Sequence, residues 1–182
     1  MLSKPDALKA LRAFFKKNRL AMLPAILTLL GTASRMTAHR RLRELDYLSS
    51  FSHMGRYYTL PCITSFDPHG LWFCQDVGFS RFGNLKETVI QLVDQSIAGK
   101  THEELESQLR LRVHNALLDL VRSGKLAREA FEGVFVYISI RADRAGHQLA
   151  RRHEGARDSV HDILPDGIVI EVLAEIIRAS QV

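Results

Sequence analysis

The chain has 182 residues, of which 46% are hydrophobic and 25% are charged, proportions that are ordinary for a globular protein and exclude a disordered one. Its longest apolar stretch, residues 20–30, is too short to span a bilayer, and its two cysteines give no disulfide framework. The formal net charge of +5 favours partners that carry negative charge.

The positive charge is concentrated in the first third of the chain. Residues 1–60 hold 11 Lys or Arg and 3 Asp or Glu, a net of +8, whereas residues 61–182 hold 14 basic and 17 acidic residues, a net of −3. A phosphate backbone would be attracted to the basic third through an interaction that weakens steeply with salt. The alternative is that these arginines only make a helix surface more soluble.

Three helices and a hairpin are predicted for residues 1–60. Ser3 and Ser34 are N-cap residues, Pro24 suits a first helical turn, and Gly31 suits a helix end. The amphipathic start of the chain fits a soluble helix better than a signal peptide. The predicted elements are helices from Ser3 to residue 18, from Pro24 to Gly31 and from Ser34 to Leu48, then a hairpin over residues 49–60.

Residues 61–82 connect this first unit to a second one. Five aromatic residues in a connector are not typical of a flexible tether. They predict packing between the two units, with a small-molecule pocket as the alternative. These aromatic residues are Phe66, Trp72, Phe73, Phe79 and Phe82.

A second unit of three helices and two strands is predicted for residues 83–140. Asn84 with Glu87, and Thr101 with Glu104, have the spacing of a capping box, although Asn departs from its Ser/Thr pattern. A third helix is expected over residues 112–123. Alternating apolar residues then predict wing strands.

The last segment, residues 141–182, is predicted to be helical. Its first part is basic, and its second part, which Pro165 introduces, has a broad apolar face. A helix with such a face must bury it. Self-association into a homodimer is the preferred interpretation, and packing against its own chain is the alternative.

The two units repeat each other 78 positions apart. Four residues of the first unit are matched in the second: Leu42, Leu48, Gly55 and Tyr57 by Leu120, Leu126, Gly133 and Phe135. A repeated supersecondary unit indicates a tandem architecture. Each copy resembles the winged helix-turn-helix, a family of units that mostly binds DNA, and the resemblance covers about 115 residues.

The resemblance implies that the third helix of the first unit enters the major groove. Arginine can donate two hydrogen bonds to guanine, and threonine or alanine can contact the thymine methyl group. Arg35, Thr37, Ala38 and Arg41 are therefore expected at base edges, and Arg40 and Arg43 at phosphates. The remaining candidates are His39 on the same helix and, on the wing, His53 and Arg56. Met36, Leu42 and Leu45 are expected to face the core.

The second unit offers fewer cations. Asn115 could read adenine, Arg110 and Arg112 could hold phosphate, and His114 lies on the same helix. Asp119 and an acidic helix nearby would repel DNA. Winged-helix units also dock proteins, so DNA contact and protein docking both remain open for this unit.

Metal and catalytic sites find little support in the sequence. His53, Cys62, His69 and Cys74 fall within 22 residues, but no C-x-x-C or H-x-x-x-H pair organises a zinc site. We find no glycine-rich phosphate loop, nucleophile elbow or paired carboxylates. The prediction is therefore a protein that is not an enzyme, with no cofactor and no metal.

Together these features predict an α+β, mostly helical protein with two winged-helix units in tandem and C-terminal helices. Its expected function is binding of double-stranded DNA as a bacterial or archaeal transcriptional regulator, homodimeric, cytoplasmic and nucleoid-associated, with no membrane partner. In this scheme Arg41→Ala should lower DNA affinity and relax base preference, and Lys16→Ala should change little. The alternatives are a non-catalytic adaptor that docks proteins in chromosome-organising or mobile-element machinery, or the DNA-binding end of a recombinase or transposase.

Overall fold

The computed structural model describes residues 3–163, with side chains as far as residue 155. Over these residues the chain forms seven α-helices and three small antiparallel sheets, which confirms the predicted α+β, mostly helical fold. The helices are α1 (Lys4–Asn18), α2 (Leu23–Leu30), α3 (Arg35–Arg43), α4 (Leu85–Gln95), α5 (His102–Leu109), α6 (His114–Arg122) and α7 (Ala142–Ile163). The strands are β1 (Ala21–Met22), β2 (Leu48–Ser49), β3 (Tyr57–Thr59), β4 (Leu71–Cys74), β5 (Val77–Ser80), β6 (Lys100–Thr101), β7 (Ala127–Phe131) and β8 (Val134–Ile138).

The first unit packs α1, α2 and α3 beside a sheet of order β1-β3-β2. Its core is built from fully buried side chains of all three helices: Leu11, Phe15, Ile26, Ala38 and Leu42. The third helix ends at Arg43, five residues before the predicted Leu48. It stops there because the backbone tightens into a turn, with Leu45 N–H donating to Leu42 O at 2.9 Å and Asp46 at φ +50°.

The second unit has the same order of elements, with α4, α5 and α6 beside a sheet of order β6-β8-β7. Its helix starts follow the sequence signals. The Asn84 side chain accepts from Glu87 N–H, and Thr101 with Glu104 forms a complete capping box. Residues matched by the repeat occupy matching places: Leu42 and Leu120 are buried, and Gly55 and Gly133 both adopt positive φ between strands.

The aromatic connector forms a hairpin, β4–β5, whose side chains reach both units. Trp72 and Phe79 pack with apolar residues of the first unit, and Phe73 lies against the core of the second. The hairpin also bonds to the segment between β2 and β3, because Phe51 N–H donates to Gly78 O at 2.9 Å. Phe51 is itself a buried member of the second unit's core, so the hairpin and this residue join the two units.

Helix α7 lies on the outer face of the second sheet. Ala145 and Leu149 pack on Phe131, Val136 and Ile138. Gln148, which is 1% exposed, accepts from Ser139 N–H at 2.9 Å and donates to Val93 O at 2.7 Å. The first part of the predicted C-terminal segment is therefore attached to the second unit. The apolar helix after Pro165, predicted to form a dimer, lies outside the described residues.

Arg152 completes the attachment of α7. Its guanidinium donates to Glu104 Oε1 at 2.9 Å, to Glu104 Oε2 at 3.0 Å and to the carbonyls of Ala98 and Gly99. Burial raises the pKa of Glu104. The hydrogen bonds from Arg152 and from Thr101 N–H outweigh that effect, so this pKa lies below its ordinary value of 4.5.

This ion pair predicts a pH dependence of stability. Because folding lowers the pKa of Glu104, the stabilisation is present at neutral pH and is lost as the pH falls below 4.5 and through the folded value. Urea unfolding of the wild type and of Glu104→Gln at pH 7 and pH 3.5 measures it. The difference between the two proteins should shrink at the lower pH, by a modest amount, since the Glu104 side chain is 39% exposed and solvent screens the pair. An equal difference at both pH values would contradict this assignment.

Candidate nucleic-acid interface

One face of α3 attaches the helix to the first unit. Ala38 and Leu42 are fully buried, Leu45 follows them on the same face, and Ser34 caps the N-terminus by accepting from Thr37 N–H at 3.2 Å. None of the nine residues of α3 is acidic. The opposite face therefore presents Met36, Arg40 and Arg43 to solvent, and Arg35 is exposed at the first position of the helix.

Two expectations for α3, those for Ala38 and Met36, are wrong because the helix is rotated relative to the expected orientation. Ala38 is in the core and cannot reach a thymine methyl group. Met36, expected in the core, is 83% exposed, because two residues along a helix rotate it by about 200° from Ala38. Arg41 lies on the flank of the buried face, whereas Arg40 points away from it. Thr37 is half-buried.

Arg41 is engaged by an acidic residue just past the end of α3. Its Nη1 lies 3.0 Å from Glu44 Oε1, and its side chain is only 13% exposed. Lys4 of α1 lies 3.3 Å from the other oxygen of Glu44. Desolvation raises the pKa of Glu44, but the hydrogen bonds and charges of Lys4 and Arg41 outweigh that effect, so this pKa lies below its ordinary value of 4.5 and the carboxylate holds Arg41 at neutral pH.

The geometry revises the expected effect of Arg41→Ala. This variant should lower the melting temperature slightly and reduce DNA affinity by less than about threefold, whereas Arg40→Ala should cost about tenfold, the range expected for one arginine–base contact. Thermal unfolding and fluorescence anisotropy with a selected duplex measure the two effects. A larger affinity loss for Arg41→Ala than for Arg40→Ala would restore the original assignment.

His39 occupies the edge of α3 that faces the sheet. Its ring lies 5.6 Å from that of Tyr58 on β3 and 6.2 Å from that of Tyr47, and the two tyrosine rings are 5.6 Å apart. Burial and the neighbouring Tyr47 raise the pKa of Tyr58, although the charge of Arg35 acts in the opposite direction. The half-buried His39 thus links α3 to the sheet that carries the wing.

The β2–β3 hairpin of the first unit, which the sequence predicts to be its wing and which is called the first wing below, contains a strained turn. His53, Met54 and Gly55 are consecutive residues with φ of 52°, 56° and 72°. The left-handed region is unfavourable for residues other than glycine, and such strain is often found at functional sites. Below the turn, Ser52 Oγ accepts from Gly78 N–H at 2.9 Å and contacts His53 Nδ1 at 2.9 Å. The anchored turn leaves Met54 80% exposed.

A cleft of about 440 Å³ separates the start of α3 from the first wing. Arg35 at the start of α3 lines it together with Met54, Arg56 and Tyr58 from the β2–β3 hairpin. Met22, which is 46% exposed, also lines it. Two arginines at the rim and apolar side chains between them form an arrangement that can hold a phosphate chain and contact the adjacent sugars or bases.

The candidates of the second unit are exposed but more constrained. Arg110 stacks over the Phe73 ring at 4.3 Å, and Asp119 pairs with Lys86 at 2.9 Å. Asn115 and Asp119 face the first wing across a cleft of about 690 Å³. The start of α6 thus lies beside the wing of the first unit. The other two candidates, Arg112 and His114, are also exposed.

The described residues hold neither a cluster of metal ligands nor a helix that could span a bilayer. Within residues 3–155, no three His, Cys, Asp or Glu side chains converge to hold a metal ion; Cys62 and Cys74 are free thiols, Cys62 exposed and Cys74 half-buried. Among the described helices, none combines the length and apolarity needed to span a bilayer. In comparisons with known proteins, the chain matches no protein-family model, no curated protein and no solved structure.

Proposed function

We propose that the chain binds double-stranded DNA through its first unit, with α3 in the major groove. The observation that carries this proposal is the exposed surface of α3, where Arg40 and Arg43 lie opposite the core, Arg35 lies at the helix start, and no residue of the helix is acidic. Arginines on one helix face suit both guanine edges and phosphates. The exposed Met36 adds an apolar contact for a thymine methyl group or a sugar.

The surroundings of α3 support this proposal. A helix, a four-residue turn, a second helix and a following hairpin is the order of elements in winged helix-turn-helix proteins, and the first unit has this order. In this proposal the cleft lined by Arg35 and Arg56 receives the DNA backbone beside the groove. The net charge of +8 over residues 1–60 adds a long-range attraction.

The biological role that fits best is a sequence-preferring transcriptional regulator of a bacterium or archaeon. In this proposal the protein is a cytoplasmic, nucleoid-associated homodimer, and the two copies of α3 contact two half-sites. The second unit contributes a neutral surface beside the first wing. No catalytic step is part of the proposal.

Selection from a pool of random duplexes tests this function. The protein is equilibrated with the pool at about 50 and 150 mM salt, the bound DNA is sequenced, and the affinity of enriched duplexes is measured by fluorescence anisotropy. A motif that remains enriched at the higher salt supports a regulator, and a palindromic motif supports the homodimer. Binding that disappears with salt and enriches nothing would overturn the proposal and favour the protein-docking adaptor.

A further inference from the structure

A recess of about 290 Å³ lies between the loop that follows α4 and the first turns of α7. The loop contributes Ser96 and Ile97, and the buried Gln148 lies among the lining residues. The other lining side chains are mostly basic: Arg141, Arg144, His147 and Arg151, with Asp143 as the one acid. This recess belongs to the second unit and shares no residue with α3 or the first wing.

The basic residues of the recess follow one face of α7. Arg141, Arg144 and Arg151 are spaced by three and seven positions, which places them along one side of a helix. Arg141 and Arg144, three positions apart, are like charges at a spacing that is unfavourable on a helix. The acids nearby reach only the outer cations, since Asp143 lies 3.5 Å from Arg141 and Glu154 lies 3.1 Å from Arg151.

Arg144, between these two, has an unmet hydrogen bond. Its Nε is buried and has no hydrogen-bond partner among the described residues. A buried donor on a charged group is costly when it has no acceptor, and native proteins supply one from protein, water or a bound ion. The recess beside it is open and lined by further cations, and a rotation of the half-buried Arg144 side chain would bring this nitrogen to an anion in the recess.

We infer that the recess binds a phosphate group. Three arginines and one aspartate give the recess a charge of +2 with His147 neutral (+3 − 1), which complements the charge of about −1.5 to −2 on a phosphate monoester near neutral pH. The planar guanidinium of Arg144 can donate two parallel hydrogen bonds, from Nε and from one terminal nitrogen, to two oxygens of the same phosphate. Arg141 and Arg151 line the recess on either side of Arg144 along the chain and add positive charge to it. The phosphate comes either from a free phosphate compound or from a nucleic-acid backbone.

Titration of the full chain with inorganic phosphate tests the site at constant ionic strength. The NMR signal of Arg144 Nε–H and the amide signals of Ser96 and Ile97 should shift saturably, with a dissociation constant of about 1 mM, a typical weak affinity. Arg144→Lys keeps the charge but removes the planar donor pair, and it should weaken binding about tenfold. Arg128→Lys, the same exchange on β7 and outside the recess, should leave binding unchanged.

A second variant tests the site without changing Arg144, in case the Arg144 substitution impairs folding. His147 is exposed, so His147→Glu should preserve the fold and prevent saturation by placing a negative charge in the recess. Shifts that do not saturate, or equal affinity for Arg144→Lys and the wild type, would overturn the inference. Neither result depends on α3, so DNA binding by the first unit is tested separately.

The source of the phosphate is identified by competition. If a 20-base-pair duplex displaces inorganic phosphate, and Arg144→Lys also weakens duplex binding, the ligand is a nucleic-acid phosphate. If the duplex leaves the Arg144 Nε–H shift unchanged, the ligand is a free phosphate compound. Both outcomes support a phosphate site, and only the first adds the second unit to the DNA interface.

Discussion

Replacing both Arg40 and Arg43 with glutamate is expected to weaken duplex binding by at least about a hundredfold. Each arginine contact to a base edge is worth about 1–3 kcal/mol, and a tenfold change in affinity corresponds to 1.4 kcal/mol. The reversed charges also repel the phosphates. Both side chains are exposed on α3, so the fold should be unchanged. Fluorescence anisotropy with a duplex selected by the wild type measures the loss.

The matched control changes the same net charge at the end of α1. Lys16 and Lys17 are both exposed and lie outside the proposed interface, so their replacement by glutamate should reduce affinity only severalfold, through the long-range field. This reduction should disappear as the salt concentration rises. If both double variants lose the same affinity at 150 mM salt, the net charge and not α3 would account for DNA binding.

Gly78→Ala is expected to destabilise the protein by about 2–3 kcal/mol, the upper part of the usual cost of overpacking a core. An added Cβ would lie 2.4 Å from Cζ of the Phe51 ring, closer than real Cβ atoms approach a neighbour. Phe51 is 5% exposed and packs edge-on against Phe73 at 5.9 Å, so its ring cannot move aside easily. Urea unfolding should show the loss as a lower midpoint.

Two further variants isolate the steric cause. Gly146→Ala, in the open part of α7, has no atom within 4 Å of the added Cβ and should stabilise the protein by about 0.5–1 kcal/mol. In the background of Phe51→Ala, which is itself destabilising, Gly78→Ala should cost little more, because the opposing ring is gone. A Gly78→Ala protein as stable as the wild type would show that the hairpin is less tightly packed than its geometry indicates.

Local signals in the sequence predicted much of the fold. Ser34, Asn84 and Thr101 mark helix starts through interactions between residues three positions apart, and the structure contains each of these caps. The repeat also predicted a glycine in the turn between the last two strands of each unit, and Gly55 and Gly133 lie in these turns. These features could be predicted because they depend on neighbouring residues.

The rotation of α3 could not be predicted from the same information. The helix has only nine residues, and four of them are arginine, so its few apolar residues define no clear face. Met36 looks like a core residue until the packing of Ala38 and Leu42 is known. Arg41 differs from the exposed Arg40 because it pairs with Glu44, and Glu44 is held in turn by Lys4, which is distant in sequence.

The buried role of Gln148 was similarly hidden. It lies in a basic, polar stretch that predicts a solvated helix, yet it bonds to backbone groups more than 50 residues away. Only tertiary packing creates that environment. The pairing of β4 with β5 was also missed, although the aromatic residues predicted that the connector would pack between the units.

Phe51 lies between β2 and β3 of the first unit but is buried in the core of the second. The two repeats therefore cannot lose their structure independently, because unfolding either one exposes this ring and removes a neighbour from the other. Calorimetry of the full chain should show one heat-absorption peak whose calorimetric and van't Hoff enthalpies agree. Proteolytic cleavage of the connector would accordingly yield two unstable fragments and no autonomous half.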